Sequence, residues 1–337
     1  MSRSSKSDED LVIAKAVPIE EIPVIDFTPF REGGMVGRLK VATAIADACR
    51  EIGFFYLSGH GVPEEKLKKV FEQSAEFFHQ PLATRAEVAA TPERYRGWIP
   101  MPHSEPMSRS SRLFEQYRIQ AEFGGDGPLQ GDDRLFYAPN RWPAQLPEFQ
   151  AACSEYYDAM LALSRDLLRA FALGLGLPEE RFDGYFDKPL CQLSLLYYIP
   201  LPDDVEVEVS NTVSHTDEGP LTILAQDNIG GLEVKRRDGS WISAPPIPGA
   251  YTINVGDMMM WWSNGRYLSN YHRVRNKSKR ERFSIPFFLN PDKQAEVRPL
   301  PEFVAIDGKA NYEGAVVGDH LKRFYTTLEK DPRELDR

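Results

Sequence analysis

From about residue 190 onward, the sequence is a succession of short apolar segments separated by Gly, Pro, Asn and Asp. These segments are QLSLLYYIP, TVSHTD, LTILAQD, GLEVKRRDGSWISA, AYTINVGDMMMWWS and RFSIPFFLNP. Many short β-like runs broken by turn residues are typical of an antiparallel sandwich or barrel, because each strand has to reverse at a tight turn. This half of the chain therefore predicts a mainly β core, followed by a C-terminal helix in VGDHLKRFYTTLEKD.

The N-terminal half differs, because its apolar residues recur at helical spacing. We expect helices in MVGRLKVATAIADACREIG, PEEKLKKVFEQSAEFFHQP and LPEFQAACSEYYDAMLALSRDLLRAFALGLGLP, and short strands in EIPVIDFTPF and FFYLSGHGV. The predicted organisation is a disordered tail over residues 1–15, a helical and mixed region over 16–190, and the β core with its helix over 191–337, packed as one unit. Residues 91–145, rich in Pro, Gly, Arg and Ser, predict an irregular and mobile excursion.

Charge and cysteine content exclude several classes of protein. The formal net charge of −10 argues against a general affinity for nucleic acid or anionic membranes. Cys49, Cys153 and Cys191 are far apart, which argues against a disulfide framework or a cysteine zinc cluster and favours a reducing, cytoplasmic location. We also expect no signal peptide and no transmembrane helix, since no apolar run of about 18 residues occurs.

One polar stretch, SHTDEGPLTI, places His215 two residues before Asp217. In a strand the two side chains point to the same side, although taken by itself the pattern favours a solvated strand end. His272 lies in a second polar segment between β runs and could supply a third ligand. Two histidines and one carboxylate leave a face of octahedral iron open. Zinc accepts the same ligands, so the residue types alone leave the metal open.

A second pair of residues follows shortly after His272. Arg282 and Ser284, in RERFSIPFF, are two apart and would lie on one side of a strand. A guanidinium can bind a carboxylate through two hydrogen bonds, and a serine hydroxyl can add a third. A buried arginine facing a barrel interior requires an anion, which an anionic cosubstrate would provide. A structural Arg–Asp pair within the sheet is the alternative.

In this order, the motifs resemble the iron(II)- and 2-oxoglutarate-dependent dioxygenases, and more narrowly the isopenicillin N synthase-like group of small-molecule oxygenases. The resemblance covers nearly the whole chain. IPVIDF and GFFYLSGHGV resemble the group's N-terminal signatures, SHTDEGPLTILAQDNIGGLEV its metal-binding strand and turn, and INVGDMMMWWSNGRYLSNYHRV the segment before the second histidine. It implies an α+β, mainly β fold: a double-stranded β-helix, or jelly roll, with flanking N-terminal and C-terminal helices.

The resemblance also implies roles for individual residues. His215, Asp217 and His272 would bind Fe(II), and Arg282 and Ser284 would hold the distal carboxylate of 2-oxoglutarate. Tyr198 matches a tyrosine that reaches the cosubstrate in many relatives, although Leu-Tyr-Tyr stands here where plant relatives often have Asn-x-Tyr. No catalytic group beyond the metal ligands is expected.

The implied reaction consumes O2 and converts 2-oxoglutarate to succinate and CO2. Through a ferryl intermediate, it hydroxylates, desaturates or cyclises a small organic substrate, as in secondary metabolism. A cosubstrate-free oxidative cyclase of the isopenicillin N synthase type shares the motifs and remains an alternative. A zinc hydrolase and a non-catalytic jelly-roll binding module are less favoured.

The substrate itself is not predicted, and neither is the oligomeric state. In relatives, the region matching 91–145 forms part of the substrate wall or lid. Its many arginines suggest that Arg96 or Arg109 binds a substrate carboxylate and that His103 lines an entrance, with solvated surface charge as the alternative. Trp262 could face the pocket, although DMMMWW is more typical of a sheet core.

Overall fold

The protein is described by a computed structural model over residues 22–91, 94–101, 114–123, 129–200, 212–276, 278 and 280–329. The strands are β1 (Val24–Asp26), β2 (Phe54–Ser58), β3 (Gly97–Ile99), β4 (Glu115–Gln120), β5 (Gln192–Tyr198), β6 (Thr212–His215), β7 (Leu221–Gln226), β8 (Leu232–Lys235), β9 (Trp241–Ser243), β10 (Tyr251–Val255), β11 (His272–Val274), β12 (Arg282–Leu289), β13 (Glu296–Val297) and β14 (Ala315–Val316). The helices are α1 (Thr28–Glu32), α2 (Gly34–Glu51), α3 (Glu64–Phe78), α4 (Leu82–Ala86), α5 (Asp133–Tyr137), α6 (Phe149–Gly174), α7 (Asp257–Trp262), α8 (Pro301–Asp307) and α9 (Val317–Glu329).

Two facing sheets form the core. The larger sheet has the order β1-β2-β10-β7-β12-β5-β4-β3, antiparallel throughout except for the β1–β2 pair. The smaller sheet has the order β6-β11-β8-β9. With helices before and after these strands, the arrangement is the double-stranded β-helix that the sequence predicted.

The larger sheet separates two apolar layers. Alternate residues such as Ile223, Ile253 and Ile285 face the long helices α2, α3 and α6 and belong to the main core cluster. The opposite face carries Tyr198, which belongs to a second cluster together with Val234 of the smaller sheet. Period-2 alternation along each strand thus places one set of residues against helices and the other inside the β-helix.

Two predictions about organisation require correction. The change in sequence pattern near residue 190 does not bound the larger sheet, because β2, β3 and β4, which precede it, belong to that sheet. Residues 91–145 are not uniformly irregular, because β3, β4 and α5 lie there. Polar residues on one face of β4 hid its strand character. The predicted tail, 1–15, lies outside the described residues.

The segment DMMMWW is a helix, α7, and not the sheet core expected from its apolar composition. Its first N–H groups are satisfied by the turn after β6: Asp257 N–H donates to the carbonyl oxygen of Asp217 at 2.7 Å. The two segments approach closely at Gly256, where a Cβ would lie 2.1 Å from the carbonyl oxygen of Gly219. Glycine at this position therefore lets α7 begin directly behind Asp217.

Two further observations concern the cysteines and the membrane. Cys49, Cys153 and Cys191 are all buried and free, in agreement with the prediction from their spacing in the sequence. Among the described residues, no helix is both long enough and apolar enough to cross a bilayer.

Candidate metal centre

The two histidines meet where the strands of the smaller sheet pair. His215 ends β6, His272 begins β11, and the two residues are directly opposite each other in the antiparallel register. Their ring centroids are 4.3 Å apart. Asp217 Oδ1 lies 3.7 Å from Nε2 of each imidazole. One potential ligand atom from each of the three residues lies within 4.8 Å of the others, the only such group in the described part of the chain.

Backbone carbonyls orient both imidazoles. His215 Nδ1 is 2.8 Å from the carbonyl oxygen of Val213, and His272 Nδ1 is 3.3 Å from that of Asn270. A carbonyl oxygen can only accept, so Nδ1 carries the proton and donates in each case. The lone pair of each Nε2 is left pointing toward Asp217, the tautomer and orientation that a metal requires.

Two donors fix the carboxylate of Asp217. Its Oδ2 accepts hydrogen bonds from Thr222 Oγ1 at 2.6 Å and from Asn254 Nδ2 at 2.7 Å. Thr222 lies on β7 and Asn254 opposite it on β10, so both project from the inner face of the larger sheet. This arrangement occupies Oδ2 and leaves Oδ1, the oxygen nearest the imidazoles, available to a cation.

The charge states match those of metal ligands. Burial raises the pKa of Asp217, but His272, His215 and the two hydrogen bonds outweigh it, so the pKa lies below its usual value. Burial and the neighbouring His215 lower the pKa of His272 from 6.5 to about 4. An ionised carboxylate and a neutral imidazole are the forms that bind a metal. Two imidazoles and one carboxylate on one side leave the other positions of an octahedral ion to further ligands.

A buried cation lies on the larger sheet beyond this group. Arg282 on β12 is 0% exposed. It donates through Nη1 to Ser284 Oγ at 3.2 Å, through Nη2 to Gln226 Oε1 at 3.0 Å and through Nε to the carbonyl oxygen of Gly230 at 2.5 Å. Its guanidinium carbon lies 4.6 Å from the ring centroid of Tyr198, the residue opposite it on β5.

Arg282 has no counter-charge within ion-pair distance among the residues that the structure describes. Neutral oxygens accept three of its hydrogen bonds. An unpaired buried charge costs several kcal/mol even after the protein relaxes. The Arg–Asp pair considered as an alternative is therefore absent from the described residues, and the site fits an anionic ligand that binds Arg282 and Ser284 together.

Comparison with known proteins identifies the family. Residues 190–291 match the model of the 2OG-Fe(II) oxygenase superfamily, and residues 22–145 match the N-terminal model described as non-haem dioxygenase in morphine synthesis. A 2-oxoglutarate-Fe(II) type oxidoreductase, hxnY of Emericella nidulans, is 33% identical over 310 residues, covering 90% of this chain and 89% of that protein. The chain belongs to the 2OG-Fe(II) oxygenase superfamily.

Other members of this superfamily are similar along most of their length. Homoarginine-6-hydroxylase of Oryza sativa subsp. japonica is 35% identical over 89% of this chain and 95% of its own. The structure of a full-length Neurospora crassa protein in complex with alpha-KG and thymine has a TM-score of 0.81 at 30% identity, covering 91% of this chain and 97% of that chain. The structure of JOX2 with 2OG, Fe and JA has a TM-score of 0.74 at 28% identity, covering 96% of this chain and 90% of that chain.

Family membership establishes the reaction class. As a member of this superfamily, the protein uses Fe(II), 2-oxoglutarate and O2. It couples oxidative decarboxylation of 2-oxoglutarate to oxidation of a small organic substrate. The bound iron supplies the oxygen chemistry, while the protein binds, orients and shields the reacting groups.

The structure does not bring the predicted substrate residues to the metal centre. Arg96 is 0% exposed and donates to backbone carbonyls, including that of Ala121 at 3.0 Å. These hydrogen bonds connect it to the segment that follows β4. Trp262 packs its ring 4.9 Å from both Phe182 and Tyr185, in the core beneath α7. The described contacts of both side chains are with the protein itself. His103 and Arg109 lie outside the described residues.

Sequence reasoning missed the residues that support the metal ligands and the arginine. Thr222, Asn254 and Gln226 are polar residues within the apolar runs LTILAQD and YTINV. A polar side chain on the buried face of a strand is unusual and was the available signal. Glu218 lies in the turn after β6, and its carboxylate pairs with His320 on α9.

Proposed function

We propose that His215, Asp217 and His272 are the residues that hold Fe(II) in this oxygenase. The supporting observation is the convergence of two oriented Nε2 atoms on Asp217 Oδ1, with Oδ2 already occupied by two donors. A set arranged in this way holds an octahedral ion from one side and leaves room for cosubstrate and O2.

Arg282 and Ser284 are proposed to bind the distal carboxylate of 2-oxoglutarate. The supporting observation is the buried guanidinium, which neutral oxygens orient without neutralising it. Tyr198 is proposed to stack beneath Arg282, and its hydroxyl is a further donor for the cosubstrate. Fixing the far end of 2-oxoglutarate orients its keto-acid end toward the metal group.

The substrate is proposed to be a small molecule that carries a carboxylate. Relatives are named for homoarginine and for 1-aminocyclopropane-1-carboxylate, both of which contain a carboxyl group. Hydroxylation, the activity in the name of the Oryza relative, is the favoured outcome. The three free cysteines support a reducing compartment, for which we propose the cytoplasm.

Succinate measurement tests this proposal against its rivals. Iron-loaded protein is supplied with 2-oxoglutarate in air or under nitrogen, and succinate is quantified over several turnovers. We expect succinate only with O2, and a large loss of it in Asp217→Ala. Oxygen consumption without succinate would favour the cosubstrate-free cyclase. Turnover under nitrogen with zinc would favour the hydrolase.

A further inference from the structure

One region of the inner face of the larger sheet is polar although it is buried. Gln116, Arg118 and Gln120 on β4 and Gln192 and Ser194 on β5 are each no more than 7% exposed. None of them was needed to build the metal centre or the pocket around Arg282.

Strand register places these residues on the same face as the metal centre. Gln120 is opposite Gln192, Gln192 is opposite Phe288, Phe288 is opposite Thr222, and Thr222 is opposite Asn254. Residues in one cross-strand row share a side of the sheet. The polar patch therefore lies on the same face as Thr222 and Asn254, the two residues that donate to Asp217.

Arg118 is the charged member of this patch. It is 3% exposed, and its Nε and Nη1 have no hydrogen-bond partner within the described ranges. No carboxylate in those ranges forms an ion pair with it either. Its guanidinium carbon lies 3.9 Å from the ring centroid of Tyr95 and 5.0 Å from that of Tyr325. Attraction to aromatic rings offsets only part of the cost of burying a cation.

Neighbouring groups add hydrogen-bonding capacity without negative charge. Gln116 and Gln192 each donate to Ser194 Oγ, at 2.8 and 2.9 Å, and the Ser194 hydroxyl retains a proton to donate. Tyr325 of α9 contacts Gln120 at 3.3 Å and Gln192 at 3.4 Å. The patch is thus a buried, positively charged and donor-rich surface that α9 covers on one side.

Arg96, the neighbouring buried arginine, shows the contrast. Its Nη1 and Nη2 donate to carbonyl oxygens of Gln120, Ala121 and Phe136, and only its Nε is without a partner in the described ranges. Those contacts account for a structural role. Within the described ranges Arg118 has no comparable set, which points to a ligand that brings the missing negative charge.

We propose that Arg118, with the Ser194 hydroxyl, binds the carboxylate of the primary substrate. This inference rests on the proposed function and specifies its substrate class. β4 lies three strand spacings, about 14 Å, from the metal-supporting strand β7. The arginine side chain covers part of that distance. The substrate is therefore a small carboxylic acid that is oxidised at a carbon several bonds from its carboxyl group.

A thermal-shift experiment tests this inference with hexanoate as the probe and hexanamide as its neutral isostere. Protein is saturated with 2-oxoglutarate and Mn(II) without oxygen, so that the Arg282 pocket is occupied and no turnover occurs. Ionic strength is held constant. We expect hexanoate to raise the Tm of the wild type and hexanamide to leave it unchanged. In Arg118→Gln, the hexanoate concentration for half-maximal shift should rise by about 30-fold or more.

Two further variants separate binding from structure. Without ligand, the Tm of Arg118→Gln should equal or exceed that of the wild type, because the variant removes an unpaired buried charge. Arg96→Gln should have a lower Tm but retain the hexanoate shift. Arg118→Lys should retain part of the shift, since it keeps the charge and loses the planar fork.

Equal shifts with hexanoate and hexanamide, no shift with hexanoate, or an unchanged response in Arg118→Gln would each overturn this inference. Failure of Mn(II) and 2-oxoglutarate to stabilise the wild type would count against the proposed metal and cosubstrate residues instead. The hexanoate arm is run with and without these ligands in both the wild type and Arg118→Gln. Without 2-oxoglutarate hexanoate can also bind Arg282, so only the part of the shift that Arg118→Gln loses reports on Arg118.

Discussion

The substitution Thr222→Val tests whether the hydrogen bond from Thr222 to Asp217 Oδ2 increases the affinity of the site for Fe(II). Valine has nearly the shape of threonine but cannot donate to Oδ2, so one of the two short hydrogen bonds at 2.6 and 2.7 Å is lost. A hydrogen bond to a charged group contributes about 1.5–3 kcal/mol. At about 1.4 kcal/mol for each factor of ten, the iron affinity should fall by about 10- to 100-fold, the range typical of residues that orient metal ligands.

The same substitution has a predicted pH signature. The Thr222 hydrogen bond helps to lower the pKa of Asp217, so its removal raises that pKa. Protons then compete with the metal at a higher pH, and the pH at which affinity is half lost moves upward. Fe(II) affinity is measured without oxygen by competition with a chromophoric chelator, across a pH series.

Thr252→Val is the matched control. Thr252 is on the same buried face of β10, but its hydroxyl contacts Gln226 at 3.2 Å and has no contact with Asp217. The control should leave iron affinity nearly unchanged. If Thr222→Val bound iron as tightly as Thr252→Val and had the same pH profile, our reasoning about the orientation of Asp217 would be refuted.

Three other substitutions give further predictions. Arg282→Gln should weaken 2-oxoglutarate binding by about 30-fold or more while iron binding persists, because a buried charge pair costs about 2–5 kcal/mol to break. Calorimetry on the Mn(II) form measures the affinity for 2-oxoglutarate. An unchanged affinity would exclude Arg282 from the pocket. Trp262→Ala should lower the free energy of unfolding, measured in urea, by about 3–5 kcal/mol, since Trp262 packs in the core. The KM of the folded variant for 2-oxoglutarate should be unchanged. An altered KM with normal stability would contradict this assignment. Metal-free protein should lose stability, on the order of 3 kcal/mol, as the pH falls from 6.5 toward 4, because only the unfolded chain gains the His272 proton in that window. His272→Gln should flatten that part of the curve, and an equally steep curve in the variant would assign the loss to other groups.

The sequence predicted the residues whose roles depend on local spacing. The spacing of two placed His215 and Asp217 on one side, although β6 ends at His215 and Asp217 lies in the turn after it. Arg282 and Ser284 share a side of β12 for the same reason. The repeated short strands predicted an antiparallel sandwich or barrel, and the family resemblance specified the jelly roll. His272 lies opposite His215 because two distant segments pair as strands. The family resemblance indicated that the two histidines share a site, whereas the local sequence pattern does not show which strands pair.

The remaining features depend on tertiary partners. Arg96 and Arg118 lie in the same arginine-rich region, and only the structure distinguishes the one that donates to backbone carbonyls from the one that has no counter-charge in the described ranges. α7 begins where it does because the Asp217 turn accepts its first hydrogen bond, although its sequence has the composition of a strand. In both cases the decisive contact joins residues that are far apart in the chain.

An anaerobic iron titration in the presence of 2-oxoglutarate tests the central claim most directly. Chelation of Fe(II) by the keto acid gives a visible charge-transfer band, which neither component shows when bound to the protein alone. We predict a band that saturates at one iron per chain, disappears in Asp217→Ala and requires much more 2-oxoglutarate in Arg282→Gln. Protein that binds iron but shows no band, or an unchanged band in Asp217→Ala, would contradict the proposed centre.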